Sequence, residues 1–374
     1  MRPTIGVIAV VWTLGLCVAA GQAPVDRPPM AEEVFKNIQV LKGIPVDQFM
    51  ATMGFFSSSL GLNCTDCHTS DSGGDWLKYA DDTPLKRTAR RMVTMMQQIN
   101  TANFGGRQMV TCNTCHRGVT NPNVMPSIDQ LYGVPPPAEA GDPFAQAQGQ
   151  PPAETILDKY FAAVGGAQRA AAFTSFTGTG KYRGYDDPEE TPLDIAVTSN
   201  GQFYSAARPA SGAHITTFDG RTGWLAAPAT DRPFPLTAIT GQEVDGLKLQ
   251  AQLFFPAQIK GALRNWRTGF GTEINDRQVE VVQGTLGTNG VATLCFDAET
   301  GLLVRMVRYG PSPVGRIVTR VDYGDYRDVG NTGVKMPFTW TVSWLDGRNV
   351  FTLANVQPNV AIDAARFAKP APAR

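Results

Sequence analysis

Apolar positions along this chain recur with two different periods, and the switch between them divides it. In the first third they fall at helical spacing. Val46, Phe49, Met50, Met53, Phe56 and Leu60 lie mostly three or four apart, which gathers them on one helical face. Pro45 suits the first position of that helix, and Gly61 suits its end. Thr83-Pro84 reads as a cap and first turn. Leu85, Ala89, Met92, Met95, Met96 and Ile99 continue it as a second amphipathic helix, broken over 103–106. A short helix is expected within 31–41 and a polar surface loop over 69–82.

The middle of the chain, 122–153, has no apolar period. Pro135-Pro136-Pro137, Gly141-Asp142-Pro143 and alternating Ala and Gln are the composition of an extended linker. Beyond it a helix is predicted over 154–164, closed by Gly165-Gly166, with a further turn at 169–173. The period then becomes two. The runs 176–182, 194–198, 214–218, 279–283, 292–297, 302–309, 317–323 and 338–344 alternate, and Asp219-Gly220, Asn289-Gly290 and Asp346-Gly347 are hairpin cues between runs. One helical interruption is expected over 256–266. The sheet should be closed or covered, because an open edge exposes unpaired backbone groups. The expected fold class is multidomain α + β: a small all-α domain over 31–121, the linker 122–153, and an antiparallel β-rich domain with a few helices over 154–374.

Residues 1–20 join Arg2 to the apolar run 5–20, with small residues at Ala19, Ala20 and Ala23. This is the pattern of an export signal, cleaved after Ala20 or Ala23. Left uncleaved, the run would be a membrane anchor near the lower length limit for a span. Cys17 is a poor lipid-attachment site because Leu16 before it is bulky. The 33 basic residues balance 33 acidic ones, so there is no electrostatic reason to expect nucleic acid as a partner. Cys295 stands alone in a strand-like run and reads as a small buried residue. No disulfide framework is expected, although the compartment would permit one.

The remaining four cysteines carry the chemistry. Cys64-Thr-Asp-Cys67-His68 and Cys112-Asn-Thr-Cys115-His116 are two copies of Cys-x-x-Cys-His, the attachment signature of c-type haem. Positions i, i+3 and i+4 share a helical face, so two thiols can bond the porphyrin while the imidazole meets the iron. The cofactors expected are two covalently bound haem c groups. Paired Cys-x-x-Cys units also bind zinc, but the histidine after both pairs and the export signal favour haem.

His68 and His116 are the proximal ligands. The chain has only three histidines, and the third, His214, lies in the β-rich part. Methionine is therefore the natural ligand for the opposite side, being soft and raising the potential relative to a second histidine. Met50, Met53, Met92, Met95, Met96, Met109 and Met125 all fall in the first third. Any one of them taken alone is also explained by core packing.

Phe35-Lys-Asn-Ile-Gln-Val-Leu41, Phe49-Met-Ala-Thr-Met53, Ala89-Arg-Arg-Met92 and Val110-Thr-Cys-Asn-Thr-Cys-His-Arg-Gly118 resemble the cytochrome c subunit of photosynthetic reaction centres, over about 34–118. The resemblance implies a sixth ligand from a methionine on the helix preceding each haem motif, which is Met53 for the first haem and Met92 for the second. The family characteristically carries four haems, whereas two motifs occur here. Arg90, Arg91 and Arg117 are candidate partners for haem propionates or plain surface arginines.

Asp219-Gly-Arg-Thr-Gly-Trp224, Phe296-Asp-Ala-Glu-Thr-Gly-Leu302 and Tyr323-Gly-Asp-Tyr-Arg-Asp328 with Val334-Lys-Met-Pro337 are similar to the periplasmic lipoprotein-carrier and sorting family. That resemblance implies a half-barrel over helices, with an apolar interior that encloses a ligand or only a core. The expected function is an exported dihaem electron carrier, not an enzyme, at the periplasmic side and either free or attached to the outer face of the inner membrane. Its expected partners are a redox donor and acceptor, such as a membrane-bound reaction centre or oxidase. The alternatives are a lipid- or lipoprotein-binding protein with a haem docking module, and a dihaem peroxidase with one open iron.

Overall fold

Two helices in the first third follow from their caps. The computed structural model describes residues 27–68, 75–133, 143–185, 189–210, 212–228 and 234–372. The signal reading of 1–20, with Cys17, and the Pro-rich part of the linker at 134–142 lie outside them. The first third holds α1 (Ala31–Val34), α2 (Val46–Leu60), α3 (Cys64–Cys67), α4 (Pro84–Phe104), α5 (Cys112–His116) and α6 (Ile128–Tyr132). Pro45 is the cap of α2 rather than its first residue, and Gly61 ends the helix at φ 65°. Thr83 caps α4, its Oγ1 accepting from the Lys86 N–H at 3.2 Å. Gly105 at φ 60° closes α4.

The helix expected within 31–41 is a single turn. Asn37 takes the left-handed φ of 62° and donates from Nδ2 to the Ala80 carbonyl (2.8 Å) and the Asp82 carboxylate (2.9 Å). Both are bonds a continuing helix would forfeit.

After α7 (Ala153–Ala163) and α8 (Ala167–Ala172) come β1 (Ser175–Arg183), β2 (Thr191–Thr198), β3 (Phe203–Ala207), β4 (His214–Phe218), β5 (Gly223–Ala226) and β6 (Leu236–Ile239). Next are α9 (Gln242–Gln252) and α10 (Ile259–Ala262), then β7 (Arg264–Thr268), β8 (Thr272–Ile274), β9 (Arg277–Leu286) and β10 (Gly290–Asp297). The chain ends through β11 (Leu303–Ser312), β12 (Gly315–Asp328), β13 (Lys335–Trp344) and β14 (Gly347–Pro358). The three hairpin cues fall at the β4–β5, β9–β10 and β13–β14 turns. The helical interruption expected over 256–266 is present as short turns over 256–262, cut off where β7 begins, and is preceded by a longer helix, α9. Gly246 in its middle weakens the helical signal, and it is required: a Cβ there would stand 2.2 Å from the Arg308 guanidinium carbon.

All the strands join one antiparallel sheet in the order β6-β5-β4-β3-β2-β1-β14-β13-β12-β11-β10-β9-β7, with β8 on β9. The fold is thus an α-helical first third followed by a large open antiparallel sheet with a few helices, as expected. The main core fills one side of the sheet. Phe176, Phe254, Phe255 and Trp340 are fully buried, with Trp340 stacked on Phe351 at 5.0 Å and edge-on to Phe254 at 4.9 Å.

Both outer strands are covered. Residues 143–150, placed in the linker by composition, lie along β7: the Ala147 N–H donates to Thr268 O (2.8 Å) and the Thr268 N–H to Gln146 Oε1 (2.8 Å). At the other edge α2 packs against β6. The Asp47 carboxylate accepts from the Thr240 N–H (2.7 Å) and Oγ1 (2.8 Å). A second, smaller core of Leu41, Phe55, Val93, Met96 and Val314 joins the first third to the β11–β12 turn. Phe55 packs against Gly315, where a Cβ would be 2.1 Å from the tip of its ring.

Candidate functional site

Each motif forms a single helical turn whose ends are tied by local bonds. At α3 the Asn63 side chain accepts from the Asp66 N–H (3.2 Å) and Asp66 Oδ2 accepts from the Asn63 N–H (2.8 Å), a reciprocal cap. Thr83 Oγ1 donates to Cys67 O at 2.7 Å, so the residue that caps α4 also holds the end of the first motif.

At α5 the clamp is Asn100, buried on α4. Its Oδ1 accepts from the N–H groups of Met109 (3.0 Å) and Val110 (2.9 Å), and its Nδ2 donates to Val110 O (2.7 Å). The chain after α5 turns through Arg117 (φ 50°) and Gly118 (φ 83°). It docks on the end of α2, where the Gly118 N–H donates to Ser59 O at 2.9 Å.

These bonds orient the two imidazoles alike. His68 Nδ1 lies 3.0 Å from Tyr79 O, and His116 Nδ1 lies 3.1 Å from Val119 O. A carbonyl only accepts, so Nδ1 carries the proton in each and Nε2 keeps its lone pair, the arrangement of a metal-ligating histidine. Burial lowers the His68 pKa and the charge of Lys86 lowers it further, against the opposing bond from Tyr79. The neutral ring is thereby favoured.

The second motif opens onto an apolar cleft with about 820 Å³ of empty space, its open mouth included. Cys112, Cys115 and His116 line it together with Leu85, Ala89, Met92, Met95 and Met96 of α4, and Phe56, Leu60 and Cys67 are among the remaining walls. The structure therefore brings Met92 together with the thiols and imidazole of the second motif. Met92 and Met95 are exposed while Met96 is buried in the smaller core, although all three line this space. Met53 stands apart from the cleft: it is partly buried on α2 against the smaller core. Cys64 is exposed and His68 half-buried beside Tyr79.

The donor set fits haem better than a bare ion. Burial pushes the Cys112 thiol up to about 11 and, with the Asp66 charge, raises Cys67. Thiols kept protonated are poor metal ligands, since the thiolate is the ligating form. Among the described residues no three His, Cys, Asp or Glu side chains are grouped as a metal cage requires. Of the arginines, Arg90 is engaged by Asp82 (2.6 Å) and Arg91 by Thr88 Oγ1 (3.1 Å). Periodicity did not single out Tyr79, Lys86 or Asn100. Asn100 had a signal, since it falls four after Met96 on the buried face of α4.

Residues 14–131 match the family model described as photosynthetic reaction centre cytochrome C subunit. Photosynthetic reaction center cytochrome c subunits are among the relatives. That of Rubrivivax gelatinosus is 33% identical over 117 residues, 28% of this chain and 30% of the relative. That of Thermochromatium tepidum is 37% identical over 98 residues, 24% of this chain and 22% of the relative. The chain thus spans about a third or less of these relatives, and the similarity lies in its first third. The β-rich part is similar to a LolA superfamily protein from Nitrosomonas europaea, at 17% identity and a TM-score of 0.39, over 59% of this chain and 99% of that one.

Proposed function

We propose that this chain is an exported c-type cytochrome with two covalent haems, which passes single electrons between a donor and an acceptor protein and performs no chemistry on a bound substrate. The observation that carries this reading is the apolar cleft in which Cys112, Cys115 and His116 share walls with Met92. When bound, haem supplies a one-electron Fe(III)/Fe(II) couple.

The residues hold and tune it. Cys64 and Cys67 tether the first group and Cys112 and Cys115 the second. His68 and His116 each offer Nε2, kept in that tautomer by the Tyr79 and Val119 carbonyls. Met53 and Met92 would supply the sulfur ligands. Apolar walls exclude water and strengthen the electrostatic interactions inside. A methionine sulfur offered to each iron besides the imidazole would leave no open site for peroxide, which favours an electron carrier over a dihaem peroxidase.

Cys67 lines the same cleft as the second motif, which favours close approach of the two groups and electron exchange between them. The similarity to reaction centre cytochrome subunits supports a membrane-bound reaction centre or oxidase as one partner. The signal-like run 1–20 supports export to the periplasmic side, with attachment to the outer face of the inner membrane where that run is retained. No described helix is long and apolar enough to cross a membrane. The sheet, its inner side filled by Phe176, Phe254, Phe255 and Trp340, serves as the platform on which the haem-bearing third rests.

Potentiometric titration of the exported protein with optical and near-infrared detection tests this. Two one-electron steps with sulfur-to-iron absorption, and haem that stays on the chain in a denaturing gel, are expected. A colourless protein, or one iron per chain, overturns it.

A further inference from the structure

The two imidazoles differ in what else their carbonyl partners accept. Tyr79 O receives His68 Nδ1 at 3.0 Å and also the Lys86 ammonium at 2.7 Å. The same ammonium donates to Asp81 O at 2.7 Å, so Lys86 spans the turn that carries Tyr79. Val119 O, the partner of His116, accepts from His116 Nδ1 at 3.1 Å and, among the described residues, from no cation. Lys86 is half-buried, on the first turn of α4, with Asp81, Asp82 and Arg90 as the charges nearest it.

We propose that Lys86 is a positioning residue that raises the reduction potential of the first haem by sharing the Tyr79 carbonyl with His68. The inference rests on the dihaem reading above. A carbonyl has two lone pairs and can serve both donors. The cation on one of them draws electron density from the other, so the imidazole N–H is held by a weaker acceptor. The ring then stays less basic and donates less to the iron. The oxidised state, which gains most from that donation, is stabilised less. The ammonium charge acts in the same direction, since an adjacent positive charge favours the state with one more electron. Both effects raise the potential at His68, whereas the carbonyl effect does not reach His116, whose partner is Val119. An electron shared between the two groups is thereby biased toward the first. One electron arrives from the reduced donor and leaves to the acceptor; no proton is transferred.

The test is potentiometric titration of the full-length exported protein carrying Lys86→Met. One of the two couples is expected to fall, its reduction equilibrium constant decreasing at least threefold, or about 28 mV at 59 mV per tenfold for one electron. The other couple stays in place. Lys86→Arg, which keeps the charge, restores most of the loss. Lys86→Gln, which keeps a donor without charge, falls in the same direction by less and serves where Lys86→Met does not mature with haem. The inference is overturned if neither couple moves, if both move equally, or if Lys86→Arg falls as far as Lys86→Met. A wild-type protein that lacks two couples fails the dihaem reading instead, so the two failures are distinguishable.

Discussion

The imidazole of His68 lies stacked on the ring of Tyr79, with centroids 4.5 Å apart and planes inclined by 19°, while its Nδ1 bonds to the carbonyl of that same residue. One residue therefore supplies both a face and an acceptor. Trp76 braces Tyr79 edge-on at 4.8 Å. Among the described residues His116 has a carbonyl partner and no stacked ring, so the two sites are built unequally, and substitutions should separate them.

Met53→Ala and Met92→Ala are each expected to remove one sulfur-to-iron near-infrared absorption and to lower one reduction potential, because a thioether ligand favours the reduced iron. Met95→Ala should keep both absorptions. Met96→Ala should keep them too and should cost about 2–5 kcal/mol of stability, as truncation of a buried methionine does. Near-infrared spectra and thermal unfolding of the four variants check this. Unchanged spectra for Met53→Ala or Met92→Ala would remove that ligand.

Gly61→Ala should loosen the contact between α2 and the residues after the second motif. Gly61 adopts φ 65°, and a Cβ there would meet Gly118 O at 2.3 Å. The left-handed conformation alone costs an L-residue roughly 1–2 kcal/mol, and the displaced carbonyl adds to it. A lower unfolding temperature with less haem attached at the second motif is expected. An unchanged melting curve would show that the turn adapts.

Asp47 should make the seam between α2 and the sheet sensitive to pH. Burial raises its pKa and the Glu243 charge adds to this, against the bonds from Thr240. Because the folded value lies above the unfolded one, the associated stability is fully present below about 3.9 and is lost as pH rises through the folded value. Asp47→Asn, which can still accept from Thr240, should flatten that decline. Melting temperature against pH for both proteins measures it, and parallel curves would assign the dependence elsewhere.

Glu243 should act with the opposite sign. Burial opposes its charge, but the Arg308 guanidinium, bonded at 2.8 and 2.6 Å, more than offsets that and leaves the carboxyl below its ordinary value. The stability it contributes is present above about 4.3 and lost as pH falls through the folded value. Glu243→Ala leaves the Arg308 guanidinium buried without its partner. The cost should be about 2 kcal/mol, less than for a fully buried pair, since the Glu243 side chain keeps 37% exposure. Chemical denaturation of the variant reads it.

Local chemistry made much of this legible in the residues alone. The Thr83-Pro84 start and Gly61 end needed no tertiary contact to be seen, because a helix cap is satisfied within four residues. Alternation likewise located strands such as 176–182 and 292–297. Its runs leave out β3, β5, β6, β7, β8 and β14, most of them short, and the start of β7 falls within the helix expected over 256–266. Helical spacing left Met92, Met95 and Met96 equivalent. Only the packing of α4 against Leu41, Phe55 and Val314 buried Met96 and left Met92 exposed, though both line the cleft.

Two Cys-x-x-Cys-His units, with their cysteines and histidines, are legible in the sequence alone, since each is written within five consecutive residues. Tertiary structure decided what lies against each imidazole. Tyr79, Lys86 and Val119 reach the rings through backbone carbonyls and a loop-spanning ammonium. A carbonyl is present at every residue and leaves no mark in the sequence, so only the folded path of the chain selects which one a histidine meets.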